Sequence, residues 1–140
     1  MYRLLFDTNA MLDVVMPGRP LHQETLEVLK LCNGAGDLGM TASLSLKDVY
    51  YVLERAYDKE TAQKAIDYLM DLLVICPVSA EECHMSLQSN EPDFEDGLIR
   101  AVAELEGADF IITRDKKAFA KSKVKSVDAK GYLEIVECKW

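Results

Sequence analysis

The sequence contains no long apolar run. Although 49% of its 140 residues are hydrophobic, no stretch approaches the roughly 20 apolar residues that a helix needs to cross a bilayer. A strand pattern begins at Tyr2, which leaves no room for the charged and apolar regions of a signal peptide. We therefore expect a cytoplasmic protein that does not span a membrane.

Cysteine and histidine are scarce and scattered. The cysteines include no C-x-x-C pair, which argues against a thiolate metal site and favours reduced side chains that serve in packing. The histidines are too isolated to build a zinc site. The residues concerned are Cys32, Cys76, Cys83, Cys138, His22 and His84.

Proline-rich, glycine-rich and serine-rich segments, internal repeats and low-complexity tracts are also absent, so one domain over residues 1–140 is expected. Apolar runs alternate with helical periodicities, which favours a parallel sheet covered on both faces. The predicted fold class is α/β, a three-layer α/β/α domain. Helical periodicity places Leu31, Tyr57 and Leu105 on apolar helix faces. Predicted strands are 2–6, 39–41, 73–76, 109–113 and 124–127; predicted helices are 21–31, 44–57, 60–72, 80–88 and 94–106; a last apolar segment is 133–136.

An acid follows the first predicted strand. Asp7 comes directly after an apolar run, and Thr8 and Asn9 come next. Because α/β sheets usually place their chemistry at the carboxyl edge of a central strand, Asp7 is a candidate site residue. The alternative is that Asp7, Thr8 or Asn9 simply caps a following helix.

Other acids occupy comparable places. Asp115 follows another predicted strand and is expected at the same sheet edge as Asp7, unless it closes a turn or caps a helix. Asp93 and Asp96 have the three-residue spacing of a helix cap and its partner. We interpret Asp93 as the cap and Asp96 as a site residue, because the neighbouring acids already suffice for capping.

Asp48 lies beside the apolar stripe of its predicted helix, in line with Ser45 and Arg55. A carboxylate on this flank can border the edge of the sheet. Alternatively, Asp48 pairs with Arg55, an exposed contact worth under about 1 kcal/mol.

Together these motifs resemble a PIN domain, and in particular the small single-domain VapC-like proteins of prokaryotes. The motifs cover essentially the whole chain in the order and spacing of the family. They are the run Asp7-Thr8-Asn9, the acid Asp48 after the second strand, the segment DFEDGLI at 93–99, and IITRD at 111–115 with Phe119 beyond it.

The resemblance implies a metal-dependent ribonuclease with a parallel five-stranded sheet, in which three or four acids hold Mg²⁺ or Mn²⁺. Asp48 departs from the family, which commonly has glutamate there; its side chain is shorter, and Lys47 adds a competing charge. The resemblance implies Asp7, Asp96 and Asp115 as catalytic metal ligands, Asp48 as a further catalytic acid, and Asn9, Ser43 and Thr113 as supporting residues. Asp93, as the cap of its helix, and Arg114, next to Asp115, are further candidates for a supporting or substrate-binding role.

The chemistry explains why such a site needs several acids and no histidine. Hard divalent cations prefer oxygen ligands. Crowded carboxylates repel each other, which raises their proton affinity until a cation arrives. A bound cation lowers the pKa of a coordinated water, positions it for in-line attack on a phosphodiester and neutralises charge on the phosphate.

The net charge of −8 argues against a nucleic-acid substrate. Residues 114–130, however, hold seven basic groups against two acids, a charge of +5, so the other residues carry −13. A basic segment that begins beside Asp115 can hold phosphates near the metal; the alternative is a solvated surface with lysines spread for solubility. The basic groups are Arg114, Lys116, Lys117, Lys121, Lys123, Lys125 and Lys130.

Two other functions compete with that of a ribonuclease. A phosphotransferase of the haloacid dehalogenase type has a second aspartate two residues after the first. This chain has Asn9 at that position, which argues against a phosphotransferase. A PIN-like binding module without catalysis stays as the alternative, because Asp48 departs from the family.

The family resemblance also implies partners. These are an RNA substrate, an antitoxin whose flexible segment covers the active site, and a second copy in a homodimer. Helix tyrosines such as Tyr50, Tyr51, Tyr57 and Tyr68 can contribute to an interface, or belong to the core and its rim.

Overall fold

The computed structural model describes residues 1–34, 36–89 and 93–137. Each of the first three strands is followed by two α-helices, and a 3₁₀ helix, Lys117–Phe119, lies between the last two strands. The strands are β1 (Arg3–Phe6), β2 (Leu38–Ala42), β3 (Val74–Cys76), β4 (Phe110–Ile112) and β5 (Lys125–Val127). The helices are α1 (Thr8–Val15), α2 (His22–Asn33), α3 (Ser43–Ala56), α4 (Lys59–Leu72), α5 (Ala80–Gln88), α6 (Phe94–Leu105) and α7 (Ala129–Glu137).

The five strands form one parallel sheet in the order β3-β2-β1-β4-β5. Strand β1 is central, and its Leu5 is in register with Met40 of β2 on one side and Ile111 of β4 on the other. The chain therefore builds the sheet outward from β1 in one direction, then returns to build it in the other. This confirms the predicted three-layer α/β/α fold with a parallel five-stranded sheet.

The sheet is buried on both faces, which is why its strands read as nearly continuous apolar runs. Leu4 and Phe6 point into the core shared with α1, α2, α3, α4 and α7. Leu5 points into the core on the other face, which it shares with α6. The three consecutive apolar residues of β1 thus serve two cores, and the next residue, Asp7, ends the strand.

Two parts of the chain differ from the predicted elements. Helix α1, directly after β1, was not predicted, and the last apolar segment is part of helix α7. Leu31, Tyr57 and Leu105 are 37%, 55% and 43% exposed, although periodicity placed them on apolar faces. Each lies in the final turn of its helix or directly after it. There the apolar periodicity of the sequence continues, but the side chain extends beyond the hydrophobic core.

Cys32 and Cys76 pack into the hydrophobic core, as predicted. Cys32, Cys76 and Cys83 are free thiols. Burial raises the pKa of Cys32 to about 12 and that of Cys76 to about 11, so both thiols stay protonated and inert. Cys138 lies outside the described residues. No described helix is both long enough and apolar enough to span a membrane.

Helices α5 and α6 pack closely because α6 carries a glycine at their contact. A Cβ atom placed on Gly97 would lie 2.1 Å from Ser86 Oγ and 3.0 Å from Ser86 Cβ. The Ser86 hydroxyl donates a hydrogen bond of 2.7 Å to the carbonyl oxygen of Phe94, at the start of α6. This contact holds the first turn of α6, which carries Glu95 and Asp96, against α5.

We predict that Gly97→Ala lowers the free energy of unfolding by about 1–3 kcal/mol, because the added methyl group overpacks the contact with Ser86. Urea denaturation measures the change. Gly18→Ala is the matched control, since a Cβ there meets nothing within 4 Å, and it should change stability by less than about 0.5 kcal/mol. Equal effects of the two substitutions would show that the α5–α6 contact is not tight.

Candidate active site

The order of the strands marks one place on the sheet edge. β1 and β4 are neighbours, but the chain leaves β1 toward β2 and reaches β4 only after completing the other half. At such a switch point the connections after the two strands run in opposite directions, and the crevice between them is where α/β proteins bind ligands. Asp7 follows β1 at this point, and Thr113 follows β4.

Asp7 is buried at this switch point and is 6% exposed. Its Oδ1 atom accepts a hydrogen bond of 2.8 Å from the Ala10 backbone N–H, so Asp7 is the N-cap of α1. Burial raises the pKa of Asp7 above its usual range, while hydrogen bonds from Thr113 and Ala10 oppose the shift. Asp7 therefore caps α1, as its alternative interpretation predicted, and the same carboxylate lies at the switch point.

Thr113 connects Asp7 to Asp115. Its side chain is buried, and its hydroxyl donates to the Asp7 carboxylate. The same oxygen accepts a hydrogen bond of 3.0 Å from the backbone N–H of Asp115. One hydroxyl group thus orients the first acid and fixes the turn that carries the second.

Asp115 is exposed in this turn, and its Oδ1 atom accepts a hydrogen bond of 3.2 Å from the Ala118 backbone N–H. It therefore closes the turn into the 3₁₀ helix, as its alternative interpretation predicted. The structure still places Asp115 beside Thr113, at the sheet edge that carries Asp7.

A second pair of acids joins α3 to α6. The carboxyl group of Glu95 is hydrogen-bonded to that of Asp48, and this contact, followed by burial, raises the pKa of Glu95 from 4.5 to about 7. Lys47 Nζ lies 3.1 Å from Asp48 Oδ1. The predicted alternative partner of Asp48, Arg55, instead has its guanidinium 4.9 Å from the centre of the Tyr51 ring.

The acids at the start of α6 divide into two roles. Asp93 is the N-cap, and its Oδ1 atom accepts a hydrogen bond of 3.1 Å from the backbone N–H of Asp96, which confirms the capping interpretation. Asp96 is half-buried in the first turn of the helix, one residue after Glu95. Sequence reasoning treated Glu95 only as a neighbouring acid, because nothing in the sequence shows that α6 packs its first turn toward α3.

The remaining predicted site residues lie near this edge and differ in their exposure and hydrogen bonds. Asn9 is exposed, and its Oδ1 atom accepts a hydrogen bond of 3.2 Å from Arg19. Ser43 is exposed at the first residue of α3, whereas the buried Ser45 receives a hydrogen bond of 3.0 Å from Thr8. Ser45 rather than Ser43 therefore ties α3 to the residues that follow β1.

Arg114 does not lie free in the basic segment. Its guanidinium contacts Asp13, a buried acid on α1 that sequence reasoning missed. The six lysines of the segment are exposed but do not form one patch, because Lys125 begins β5 at the opposite edge of the sheet. Lys116 and Lys117 stay next to Asp115.

The donor atoms at this edge are of the type that a hard divalent cation binds, because the acids supply oxygen atoms only. Asp7 is buried with its pKa raised, which is the state that a nearby cation would relieve. Among the described residues, no three acid, cysteine or histidine side chains are grouped as a ready set of ligands. Several of these carboxylates instead accept backbone hydrogen bonds or contact each other.

Comparison with known proteins places this geometry in a family. The sequence profile described as "PIN domain" matches residues 3–117. The chain belongs to the PIN domain family. No curated protein matches the sequence of this PIN domain significantly.

Solved structures share the fold of this PIN domain at low sequence identity. DNA-bound VapBC from Salmonella typhimurium matches with a TM-score of 0.71 and 15% identity, covering 92% of this chain and 99% of that one. A toxin-antitoxin complex from Klebsiella pneumoniae matches with 0.68 and 22% identity, covering 90% and 97%. VapC20 of Mycobacterium tuberculosis, a Sarcin-Ricin loop cleaving toxin, matches with 0.68 and 17%, covering 84% and 93%.

The contact between Asp48 and Glu95 predicts an unusual titration. In metal-free protein, the Glu95 side-chain carboxyl should titrate near pH 7, because its proton is held in the hydrogen bond to Asp48. Asp48→Asn should return the pKa of Glu95 toward 4.5, since the amide carries no charge and can donate to the carboxylate. Carbon-13 NMR of the glutamate carboxyls measures both values.

Asp71→Asn, an exposed substitution on α4, is the control for the loss of one negative charge. A Glu95 pKa near 4.5 in the unmodified chain would contradict the contact between α3 and α6.

Proposed function

We propose that this PIN domain is a divalent-metal-dependent endoribonuclease and the toxin of a toxin-antitoxin pair. The observation that carries the proposal is the buried Asp7 at the switch point, connected by the Thr113 hydroxyl to the turn that holds Asp115. Family membership supports a nuclease, and the fold shared with VapC toxins supports the role in a toxin-antitoxin pair.

In this proposal Asp7, Asp96 and Asp115 hold Mg²⁺ or Mn²⁺, directly or through water. When bound, the ion supplies an activated water and a positive charge for the phosphodiester. Thr113 and the Ala10 N–H orient Asp7, so its carboxylate needs little reorganisation. Arg114, Lys116 and Lys117 provide positive charge for the RNA backbone.

The Glu95 carboxyl, which is hydrogen-bonded to Asp48, has the proton affinity that acid–base chemistry at neutral pH requires. A carboxyl that titrates near pH 7 can accept a proton or return it. We propose that this pair orients the attacking water and takes up its proton, with Glu95 supplying the reach that the shorter Asp48 lacks.

The partners follow from the same likeness. Similar folds occur in a VapBC complex and in a toxin-antitoxin complex, so we propose an antitoxin that covers the switch-point edge of this chain. RNA is the proposed substrate, since the VapC20 toxin cleaves the Sarcin-Ricin loop. The homodimer and the cytoplasmic location stay predictions from the sequence.

A PIN-like module that binds without cutting is the second candidate. Asp48 favours it, because its carboxylate is engaged by Lys47 and Glu95. An inactive module should bind Mn²⁺ poorly and should show no cleavage that depends on Asp7.

The function is tested by incubating single-stranded and structured RNA with the protein and Mg²⁺ or Mn²⁺. Asp7→Asn and Asp115→Asn should each reduce the cleavage rate by more than about 100-fold, because each removes a carboxylate ligand for the ion. Asp67→Asn, an exposed substitution on α4, makes the same change in charge and should leave the rate unchanged.

Circular dichroism confirms that each variant is folded, and a Mn²⁺ titration separates the two candidate functions. Cleavage that persists in both folded variants would reject the proposed mechanism. Weak Mn²⁺ binding without cleavage of any RNA would reject the ribonuclease and leave the binding module.

Thr113 allows a finer test of the same mechanism. Thr113→Val keeps the shape of the side chain but removes the hydroxyl that orients Asp7 and Asp115, so cleavage should fall by about 10–100-fold. Thr113→Ser keeps the hydroxyl and should retain most of the rate. Equal rates for the valine and serine variants, measured at saturating Mn²⁺, would show that the hydroxyl has no orienting role.

A further inference from the structure

A buried carboxylate lies close to the candidate site without belonging to its predicted set of acids. Asp13 is on α1, six residues after Asp7, and its side chain is 1% exposed. Arg19 Nε lies 2.9 Å from its Oδ1 atom. Arg114 approaches from the turn after β4, with Nη2 3.1 Å from Oδ1 and Nε 2.9 Å from Oδ2. Asp13 thus forms ion pairs with two arginines from distant parts of the chain.

Both arginines stay partly accessible while Asp13 holds them. The side chains of Arg19 and Arg114 are 25% and 33% exposed. Arg19 Nη2 also donates to Asn9 Oδ1, which ties this arginine to the segment that follows Asp7. The Nη1 groups of both arginines make no hydrogen bond or ion pair with the described residues, so they are available as donors.

The geometry is not that of an optimised structural ion pair. Asp13 Oδ2 is buried, and among the described residues no donor makes a well-aligned hydrogen bond to it, although Arg114 Nε is near. Two guanidinium groups on one carboxylate also leave an excess of one positive charge. The charges of this cluster also act on Asp7. The negative charge of Asp13 raises the pKa of Asp7, and the positive charge of Arg114 lowers it.

We propose that Asp13 is a positioning residue that fixes Arg19 and Arg114 beside Asp7, so that their free N–H groups bind phosphates of the RNA strand. A guanidinium presents a planar set of donors that matches a phosphate, and fixing the arginine in advance reduces the entropy lost on binding. The identity of RNA as the ligand rests on the proposed function. The arrangement of Asp13, Arg19 and Arg114 does not depend on the proposed function.

Positioning and simple charge make opposite predictions for Asp13→Asn. If charge alone matters, removing a negative charge from a chain of net charge −8 should tighten RNA binding. If Asp13 positions the arginines, the same substitution should weaken binding, because the amide no longer holds two cations. Arg114→Lys makes the complementary test, since lysine keeps the charge but lacks the planar fork.

The experiment measures binding of a fluorescein-labelled single-stranded RNA by fluorescence anisotropy, in EDTA and over about 50–200 mM salt. The parent is the Asp115→Asn chain, so cleavage does not interfere. Asp13→Asn, Arg19→Lys and Arg114→Lys should each weaken binding by about 10-fold, the effect of losing one charge-assisted hydrogen bond. The slope of log affinity against log salt should become shallower by about 0.7 for each lost phosphate contact.

Arg55→Lys is the matched control and should bind RNA like the parent, because Arg55 lies on the last turn of α3, over Tyr51. Thermal denaturation checks that each variant is folded; if Asp13→Asn does not fold, the two lysine variants decide. The proposal is overturned if folded Asp13→Asn binds RNA as tightly as the parent or more tightly, if both lysine variants bind like the parent, or if the parent binds no RNA.

The cleavage assay keeps the two proposals distinguishable. Arginine-dependent binding in a chain that cuts no RNA would uphold the positioning role and reject the ribonuclease. Normal binding by the arginine variants of a chain that cuts RNA would reject only the positioning role.

Discussion

The parallel pairing of β1 with β4 determines where the acids of this protein lie. Phe6 is in register with Ile112, and the backbone N–H of Asp7 continues the pairing with a hydrogen bond of 3.2 Å to the Ile112 carbonyl oxygen. This places the side chain that follows β1 next to the side chain that follows β4. Asp7 and Thr113 therefore meet even though 105 residues separate them along the chain. The turn with Asp115 and the first turn of α1 are both built onto that contact.

Around this contact the chain keeps charged groups in places where burial is costly. Asp7 is buried with a raised pKa, and Asp13 is buried between two arginines. Glu95 is exposed, but its carboxyl is hydrogen-bonded to another acid, Asp48. A protein selected only for stability would gain little from such an arrangement, because buried ion pairs are often replaceable by apolar groups at no cost. Their concentration at one edge of the sheet is what a site for cations and phosphates requires.

The sequence predicts the strand ends well, because a strand buried on both faces is an apolar run that stops abruptly at a polar residue. This pattern predicts the places of Asp7 and Asp115. It predicts Glu95 poorly, because the contact of Glu95 with Asp48 depends on how α6 packs against α3. Asp13 was missed with the helix that carries it, since residues 10–15 are apolar almost throughout and show no helical alternation. A lone acid within such a stretch was the available signal of a buried, paired charge.

The proposed role of Asp7 as a metal ligand at the switch point can be measured by anomalous diffraction from crystals soaked in Mn²⁺. We expect an anomalous peak about 2.1 Å from a carboxylate oxygen of Asp7, or one water molecule away, with Asp96 and Asp115 around it. This role is contradicted if Mn²⁺ binds elsewhere or not at all, and the Asp7 carboxylate keeps only its hydrogen bonds to Thr113 and Ala10.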